Sequence, residues 1–116
     1  MHPPLHRSLT FAFRGLAAFW REERNFRLET LCLIPVLGVG LWLGLQPLEW
    51  AAVALAAGMV LGAEAANTIV EDMLDHLHPS HHTTVGRIKD MCAGLVLLSG
   101  LAALAVAASV LLPRLG

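Results

Sequence analysis

Polar side chains recur at helical spacing in one otherwise apolar stretch of the chain. They are Glu64, Asn67, Glu71 and Asp75. Because an α-helix turns by about 100° per residue, this spacing places the carboxylates and the amide on one helix face. Glu64 follows the apolar residues 58–63, and a carboxylate at membrane depth is costly enough to indicate a functional role.

This column of acids could bind a cation and accept a proton. Like charges one helical turn apart repel each other, and a divalent cation between them would relieve the repulsion. Mg²⁺ is the natural candidate because it takes oxygen ligands and bridges phosphates. The deepest carboxylate, Glu64, suits a general base. The alternative, in which the acids are only the solvated end of a helix, fits Asp72 and Asp75 but not Glu64.

Two more polar clusters precede apolar blocks, at residues 23–29 and 86–90. The second cluster contains the glycine Gly86 and the cations Arg87 and Lys89. A base, metal-binding acids, a lysine and a flexible glycine together meet the needs of phosphoryl transfer, in which catalysis is positioning and charge neutralisation. Taken alone, the two cations would only set the topology or bind lipid head groups.

The common nucleotide-binding motifs are missing from the sequence. Neither Gly-x-x-x-x-Gly-Lys-Ser/Thr nor Gly-x-Gly-x-x-Gly occurs, so an ATP site would have to be built from helix ends at the membrane interface. Several histidines crowd around Pro79, namely His76, His78, His81 and His82. We expect a solvated loop whose histidines partly contact nucleotide, rather than a zinc or nickel site, because their spacing matches no standard metal site.

Composition indicates a small membrane protein. Of the 116 residues, 56% are apolar and 15% are charged, and the apolar residues come in long blocks. A soluble domain of this size would need more charged surface. The net charge of −1 argues against a nucleic-acid-binding surface. Cys32 and Cys92 each lie inside an apolar block, which favours free thiols over a disulfide.

The order of these blocks predicts an all-α membrane protein with a single domain, residues 1–116. An amphipathic N-terminal surface helix precedes three transmembrane helices. The surface helix is expected at about 8–27, the spans at about 28–45, 50–70 and 91–112, and a polar, histidine-rich loop at 71–90. The alternative for the first helix is a soluble amphipathic helix packed on a partner.

Basic residues orient the chain in the membrane. Seven of the eight lysines and arginines lie before the first span or between the second and third spans, and such residues are enriched on the cytoplasmic side. We therefore expect the N-terminus and residues 71–90 in the cytoplasm and the C-terminus outside. Thin helices rich in alanine and glycine cannot enclose a site alone, so oligomerisation is expected.

The polar clusters together resemble the signature of a known enzyme family. The matching segments are Glu64-x-x-Asn67-Thr68-x-x-Glu71-x-x-x-Asp75, Glu23-Arg24-Asn25-Phe26-Arg27 and Gly86-Arg87-x-Lys89-Asp90. In order and interval they are similar to those of the bacterial diacylglycerol kinase and undecaprenol kinase family, from about Arg7 to Leu112. The resemblance implies a surface helix and three membrane helices, assembled as a homotrimer in the bacterial cytoplasmic (inner) membrane.

The resemblance also implies an activity and a site. The activity is ATP-dependent phosphorylation of a membrane lipid hydroxyl, with Glu64 as the catalytic base and with Glu23 and Glu71 holding the Mg²⁺ that bridges the ATP phosphates. The expected nucleotide-binding residues are Arg7, Glu23, Asn67, Glu71, Asp75, His82, Gly86, Lys89 and Asp90. The expected lipid-binding residues are Glu29, Trp42 and Glu64.

Some positions depart from the family pattern. His81 stands where the family commonly has a tyrosine, and Thr83 stands where an acid is frequent. Arg7 is the nearest counterpart of an arginine near the N-terminus. These departures concern the adenine and ribose contacts and leave the metal and the base in place.

Diacylglycerol, giving phosphatidic acid, is the expected substrate. The run from Gly86 to Met91 favours it, whereas Glu23-Arg24-Asn25 favours undecaprenol, which would yield undecaprenyl phosphate. A hypothesis of another class is a small proton-coupled transporter, which also uses an intramembrane glutamate. Against it, the polar groups cluster at one membrane face and not at the midplane. A third hypothesis is a structural or assembly subunit of a larger complex.

Overall fold

The described part of the chain folds into four helices. The computed structural model describes residues 4–77 and 83–116. The helices are α1 (Leu5–Glu22), α2 (Arg24–Leu43), α3 (Pro47–Leu77) and α4 (Thr83–Leu115). The most extensive packing joins α3 to α4, and α2 packs on α3. The predicted all-α class is therefore confirmed.

Three of the helices, α2, α3 and α4, are long and apolar enough to cross a membrane, as the sequence predicted. Most of their large apolar side chains face outward. In the part of the chain that the structure describes, the buried residues are Gly40, Ala63, Val85, Ser99 and Val110. Apolar surface of this extent needs lipid or another chain around it, which agrees with a membrane protein.

The first helix ends earlier than predicted. A surface helix was expected to run to residue 27, but α1 ends at Glu22 and α2 begins at Arg24. Glu23 between them is extended, with φ −113° and ψ 107°. Residues 22–27 contain neither glycine nor proline, so no helix-breaking residue marks this break in the sequence. It is closed by a side chain, Arg27, whose contacts are described below.

The loop predicted at 71–90 is helical over most of its length. Helix α3 continues through residues 71–77, and α4 begins at Thr83. Residues 71–77 contain neither glycine nor proline, so their polarity reflects a helix leaving the membrane and not a loop. Pro79 and the neighbouring histidines His78, His81 and His82 lie outside the described residues.

A tight turn joins α2 to α3. Helix α2 ends at Gly44, which adopts the left-handed conformation with φ 70°. One turn earlier, Gly40 packs against the indole of Trp50, so closely that a Cβ at position 40 would lie 2.5 Å from Trp50 Cη2. The glycines of this span were expected to allow close packing. Gly40 does so, whereas a Cβ at Gly38 would meet open space.

An ion pair joins the start of α3 to the end of α4. The Arg114 guanidinium donates to both carboxylate oxygens of Glu49, each at 2.7 Å. Arg114 also donates to the carbonyl of Val110 at 2.7 Å. The last span was expected to end at about residue 112, but α4 continues through Pro113 to Leu115. We call the Glu49–Arg114 pair the clasp.

Candidate functional site

The polar residues of the sequence gather at one end of the helical layer. This end holds the start of α2, the end of α3 and the start of α4, and the clasp lies at the opposite end. With a rise of about 1.5 Å per residue, Glu64 lies roughly 26 Å and Glu71 roughly 36 Å along α3 from Pro47. A hydrocarbon layer is about 30 Å thick. The column on α3 therefore runs from the edge of the apolar layer into the head-group region.

The deepest part of the site is a pair of glutamates. Glu29 on α2 and Glu64 on α3 bring their carboxyl groups close enough to interact electrostatically. Glu29 Oε2 is buried and finds no donor among the described residues. Two facing carboxyl groups offer acceptors only when both are ionised. The pair therefore suits a partner that brings a proton or a hydroxyl group.

An apolar groove leads to this pair. It has a volume of about 280 Å³ and lies between α2, α3 and α4. Glu29 and Cys32 provide its polar lining, and the remainder is aliphatic. A groove of this kind, open along the helices and ending at a carboxyl group, suits an alcohol that carries a long hydrocarbon tail.

The middle of the site is formed by two residues of α3. The Asn67 side-chain amide donates to Glu71 Oε1 at 3.4 Å, a long and weak hydrogen bond. The Asn67 carbonyl oxygen Oδ1 is buried without a donor among the described residues. An unpaired oxygen beside a carboxylate is a suitable environment for a cation or for a donor from a ligand.

The outermost part of the site pairs α3 with α4. Lys89 Nζ lies 2.7 Å from Asp75 Oδ1, and Glu71 is near enough to interact electrostatically with the same ammonium group. The Asp75 side chain is 64% exposed and that of Lys89 is 35% exposed. An exposed pair of this kind is worth about 0–1 kcal/mol, so Lys89 can be drawn to a stronger anion at little cost.

Glu23 approaches α3 from the other side. It lines a cavity of about 330 Å³ between α1 and α3, together with Thr68 and Asp72. Sequence reasoning treated Asp72 as a solvated residue. Asp72 directly follows Glu71 and is therefore turned from it by about 100° around the helix. This spacing could have assigned Asp72 to a different face of α3, the one toward α1.

The other predicted site residues are less closely associated with this centre. Gly86 is half-buried and Asp90 is exposed on the first turns of α4, and Arg7 is exposed on α1. Trp42 is 83% exposed at the opposite end of α2, about 20 Å along the helix from Glu29, so it does not join Glu64. His82 lies outside the described residues.

The acids do not form a ready-made metal cage. Within residues 4–77 and 83–116, no three side chains of His, Cys, Asp or Glu come together as a metal site. Mg²⁺ bound through substrate phosphates, however, commonly takes only one or two protein carboxylates. Glu71 beside the unpaired Asn67 oxygen fits that mode of binding, and Glu23 reaches the same helix from α1.

Comparisons with known proteins show the family to which the chain belongs. A family model described as prokaryotic diacylglycerol kinase matches residues 10–111. The diacylglycerol kinase of Synechocystis sp. is 33% identical over 114 residues, which cover 97% of this chain and 65% of the relative. The undecaprenol kinase of Bacillus subtilis is 29% identical over 109 residues, covering 94% and 89%.

A third relative is more distant. The diacylglycerol kinase of Escherichia coli is 26% identical over 89 residues, which cover 77% of this chain and 73% of that protein. The chain thus spans slightly less than two thirds of the Synechocystis relative and a larger share of the other two.

Proposed function

Because the chain belongs to the prokaryotic diacylglycerol kinase family, we propose that it is a membrane enzyme that transfers the γ-phosphoryl group of ATP to a lipid hydroxyl. One observation carries the proposal for this chain's own residues. A single column on α3 begins at a carboxyl pair beside an apolar groove and ends at a lysine and carboxylates near water. Such a column suits a reaction between a membrane alcohol and a water-soluble nucleotide.

The lipid hydroxyl is proposed to bind at Glu64. Its hydrocarbon tail lies along the groove between α2, α3 and α4, and its hydroxyl group donates to the Glu64 carboxylate. Glu64 takes the hydroxyl proton as the oxygen attacks the γ-phosphorus, and the bond from that phosphorus to the bridging oxygen of ADP breaks. Glu29, which faces Glu64, orients the hydroxyl group.

The nucleotide is proposed to bind farther out along α3. Glu71 and Glu23 would hold Mg²⁺, which, when bound, neutralises phosphate charge and orients the phosphates. When the nucleotide binds, the Lys89 ammonium group leaves Asp75 and pairs with a phosphate oxygen. The Asn67 side-chain amide donates hydrogen bonds to the phosphates. The remaining contacts are proposed for Arg7, Asp75, His82, Gly86 and Asp90.

The enzyme is proposed to lie in the cytoplasmic membrane with this end facing the cytoplasm. The excess of basic residues at the same end supports the orientation. Helix α1, whose apolar residues are exposed, would lie along the interface. A homotrimer would cover the outward apolar faces of the spans. The family match favours the kinase over a proton-coupled transporter or an assembly subunit.

Diacylglycerol is the proposed substrate and phosphatidic acid the product. Undecaprenol is the second candidate, since the undecaprenol kinase of Bacillus subtilis matches 94% of this chain and shares 29% identity. Both lipids present a primary hydroxyl next to long apolar tails, so the groove beside Glu29 suits either.

The test is a transfer assay with the full chain reconstituted in phospholipid vesicles. The vesicles contain diacylglycerol or undecaprenol, and radiolabelled ATP with Mg²⁺ is added outside. We expect label in extracted phosphatidic acid and a loss of at least about 10³-fold in kcat for Glu64→Gln and for Glu71→Gln. Label in undecaprenyl phosphate alone would reassign the lipid. Normal transfer by either variant would contradict the proposed roles.

A further inference from the structure

One arginine, Arg27, forms hydrogen bonds on both sides of the break between α1 and α2. Arg27 Nη1 donates to the carbonyl oxygens of Trp20 and Arg21, at 2.8 and 2.9 Å. Its backbone amide donates to the carbonyl of Glu23 at 3.1 Å. The first two carbonyls belong to the last turn of α1, where the helix offers them no amide. A cation there is also favoured by the helix dipole.

The break between α1 and α2 is one residue long. Glu23 is the only residue between α1 and α2, and it is extended. The rings of Phe19 and Phe26 stack across it with centroids 5.3 Å apart. We call residues 19–27 the elbow. It is thus closed by one apolar contact and by the Arg27 hydrogen bonds.

The angle of the elbow determines where the Glu23 carboxylate points. Glu23 lines the cavity shared with Thr68 and Asp72 of α3, while its backbone is the hinge of the elbow. A change in that angle moves α1 and turns the Glu23 side chain relative to α3. Arg27 is half-buried, whereas Arg21 and Arg24 on either side of the hinge are exposed. The Arg27 guanidinium therefore interacts with groups of the protein and not mainly with solvent.

We propose that Arg27 is a positioning residue that sets the elbow angle and so aims the Glu23 carboxylate across the cavity toward α3. The inference rests on the proposed function, in which Glu23 and Glu71 hold the magnesium ion. Arg27 itself touches neither nucleotide nor lipid. Its loss weakens the use of the metal and leaves the groove and the Glu29–Glu64 pair in place.

The first measurement is the Mg²⁺ dependence of phosphate transfer at saturating ATP. In Arg27→Gln the half-saturating Mg²⁺ concentration should rise at least about five-fold, while kcat at saturating Mg²⁺ falls less than about three-fold. Arg21→Gln is the matched control, because it removes the same charge but keeps the backbone carbonyl that Arg27 binds. It should behave like the unsubstituted chain.

The second measurement follows the elbow without relying on activity. Spin labels are attached at Ala12→Cys and Met73→Cys in a chain whose native cysteines are replaced by alanine, diluted with unlabelled chain. Arg27→Gln should broaden or shift the distance distribution between α1 and α3, and Arg21→Gln should not.

An unchanged distance distribution in Arg27→Gln would overturn the proposal. So would a loss confined to kcat with the same Mg²⁺ dependence. If the unsubstituted chain transferred no phosphate to any lipid, the proposed kinase function would fail, and the label distances would still decide whether Arg27 sets the elbow.

Discussion

The polar side chains along α3 have different partners, although they share one helix face. Glu64 faces a carboxyl group on α2, Glu71 accepts a hydrogen bond from its own helix, and Asp75 pairs with α4. Substitutions along the column therefore disturb different parts of the proposed reaction. Proton removal, phosphate binding and the docking of α4 can be tested separately.

Lys89 and Asp75 should contribute unequally to activity, although they form one ion pair. Lys89→Gln removes the cation proposed to offset phosphate charge and should lower kcat/KM for ATP at least about 100-fold. Asp75→Asn keeps that cation and removes an exposed ion pair worth about 0–1 kcal/mol, so the loss should stay below about ten-fold. The measurement is the rate of phosphate transfer against ATP concentration.

Equal losses in the two variants would contradict this difference. They would mean that Asp75 contributes as much to nucleotide binding as Lys89 does, or that the pair is needed intact. Thermal unfolding of both variants in detergent serves as the control, and the midpoints should differ little from that of the unsubstituted chain.

At the scale of helices, the sequence predicted the number and order of membrane spans but not where the helices end. Mean hydropathy decides whether a segment crosses a membrane, and it reports the limits of the apolar layer, not those of the helix. Helices α3 and α4 continue past that layer, where Asp75 and Lys89 join them. The break at Glu23 depends on hydrogen bonds from Arg27, six and seven residues from their acceptors, which local propensity cannot reveal.

The packing of α2 on α3 should be sensitive at one glycine. In Gly40→Ala the new methyl group would lie 2.5 Å from Trp50 Cη2, and overpacking of this kind costs about 1–3 kcal/mol. Gly38→Ala is the matched control, because nothing lies within 4 Å of a Cβ there. Thermal unfolding in detergent, followed by circular dichroism, should show a lower midpoint for Gly40→Ala alone.

A second substitution tests the cause of that loss. Combining Gly40→Ala with Trp50→Phe shortens the ring that the methyl group meets, and it should recover part of the stability relative to Trp50→Phe alone. Equal effects of the alanine at positions 38 and 40 would argue against close packing between α2 and α3.

At the scale of the whole molecule, residues 4–77 and 83–116 form an open layer without an enclosed core. Its radius of gyration is 17.4 Å and its extents are 53 × 39 × 25 Å, whereas a compact domain of this length would have a radius of about 13 Å. Exposed leucines cover the outer faces of the described spans. The layer is therefore stabilised by what surrounds it.

The clasp should stabilise the layer without affecting catalysis. Its guanidinium and carboxylate share two hydrogen bonds, and the side chains of Arg114 and Glu49 are only 26% and 24% exposed. Glu49→Gln should slightly lower the free energy of unfolding. Phosphate transfer should stay unchanged, because the clasp lies at the other end of α3.

Arg114→Gln provides the partner for a double-variant cycle. If the two residues act as a pair, the double variant loses little more stability than either single variant. Additive losses would show that the residues act independently, and reduced transfer in Glu49→Gln would show that the two ends of α3 are coupled.

The sequence predicted part of the arrangement of the proposed site residues. Helical spacing placed Glu64, Asn67, Glu71 and Asp75 on one face, and the structure agrees. It could not reveal that Glu29 faces Glu64, since that contact joins residues far apart in the chain. The position of Trp42 was already implied by the sequence, because Glu29 and Trp42 lie near opposite ends of one predicted span.

The length of α3 between Trp50 and Glu64 has a consequence for substrate choice. An indole that prefers one membrane interface fixes the level of that end of the helix, and a rigid helix then holds Glu64 at a set depth beneath the opposite leaflet. The length of the helix therefore sets the depth of Glu64 in the bilayer. Under the proposed mechanism, membrane alcohols whose hydroxyl group lies at that depth would be accessible to Glu64, and a bilayer of different thickness would change which alcohols those are.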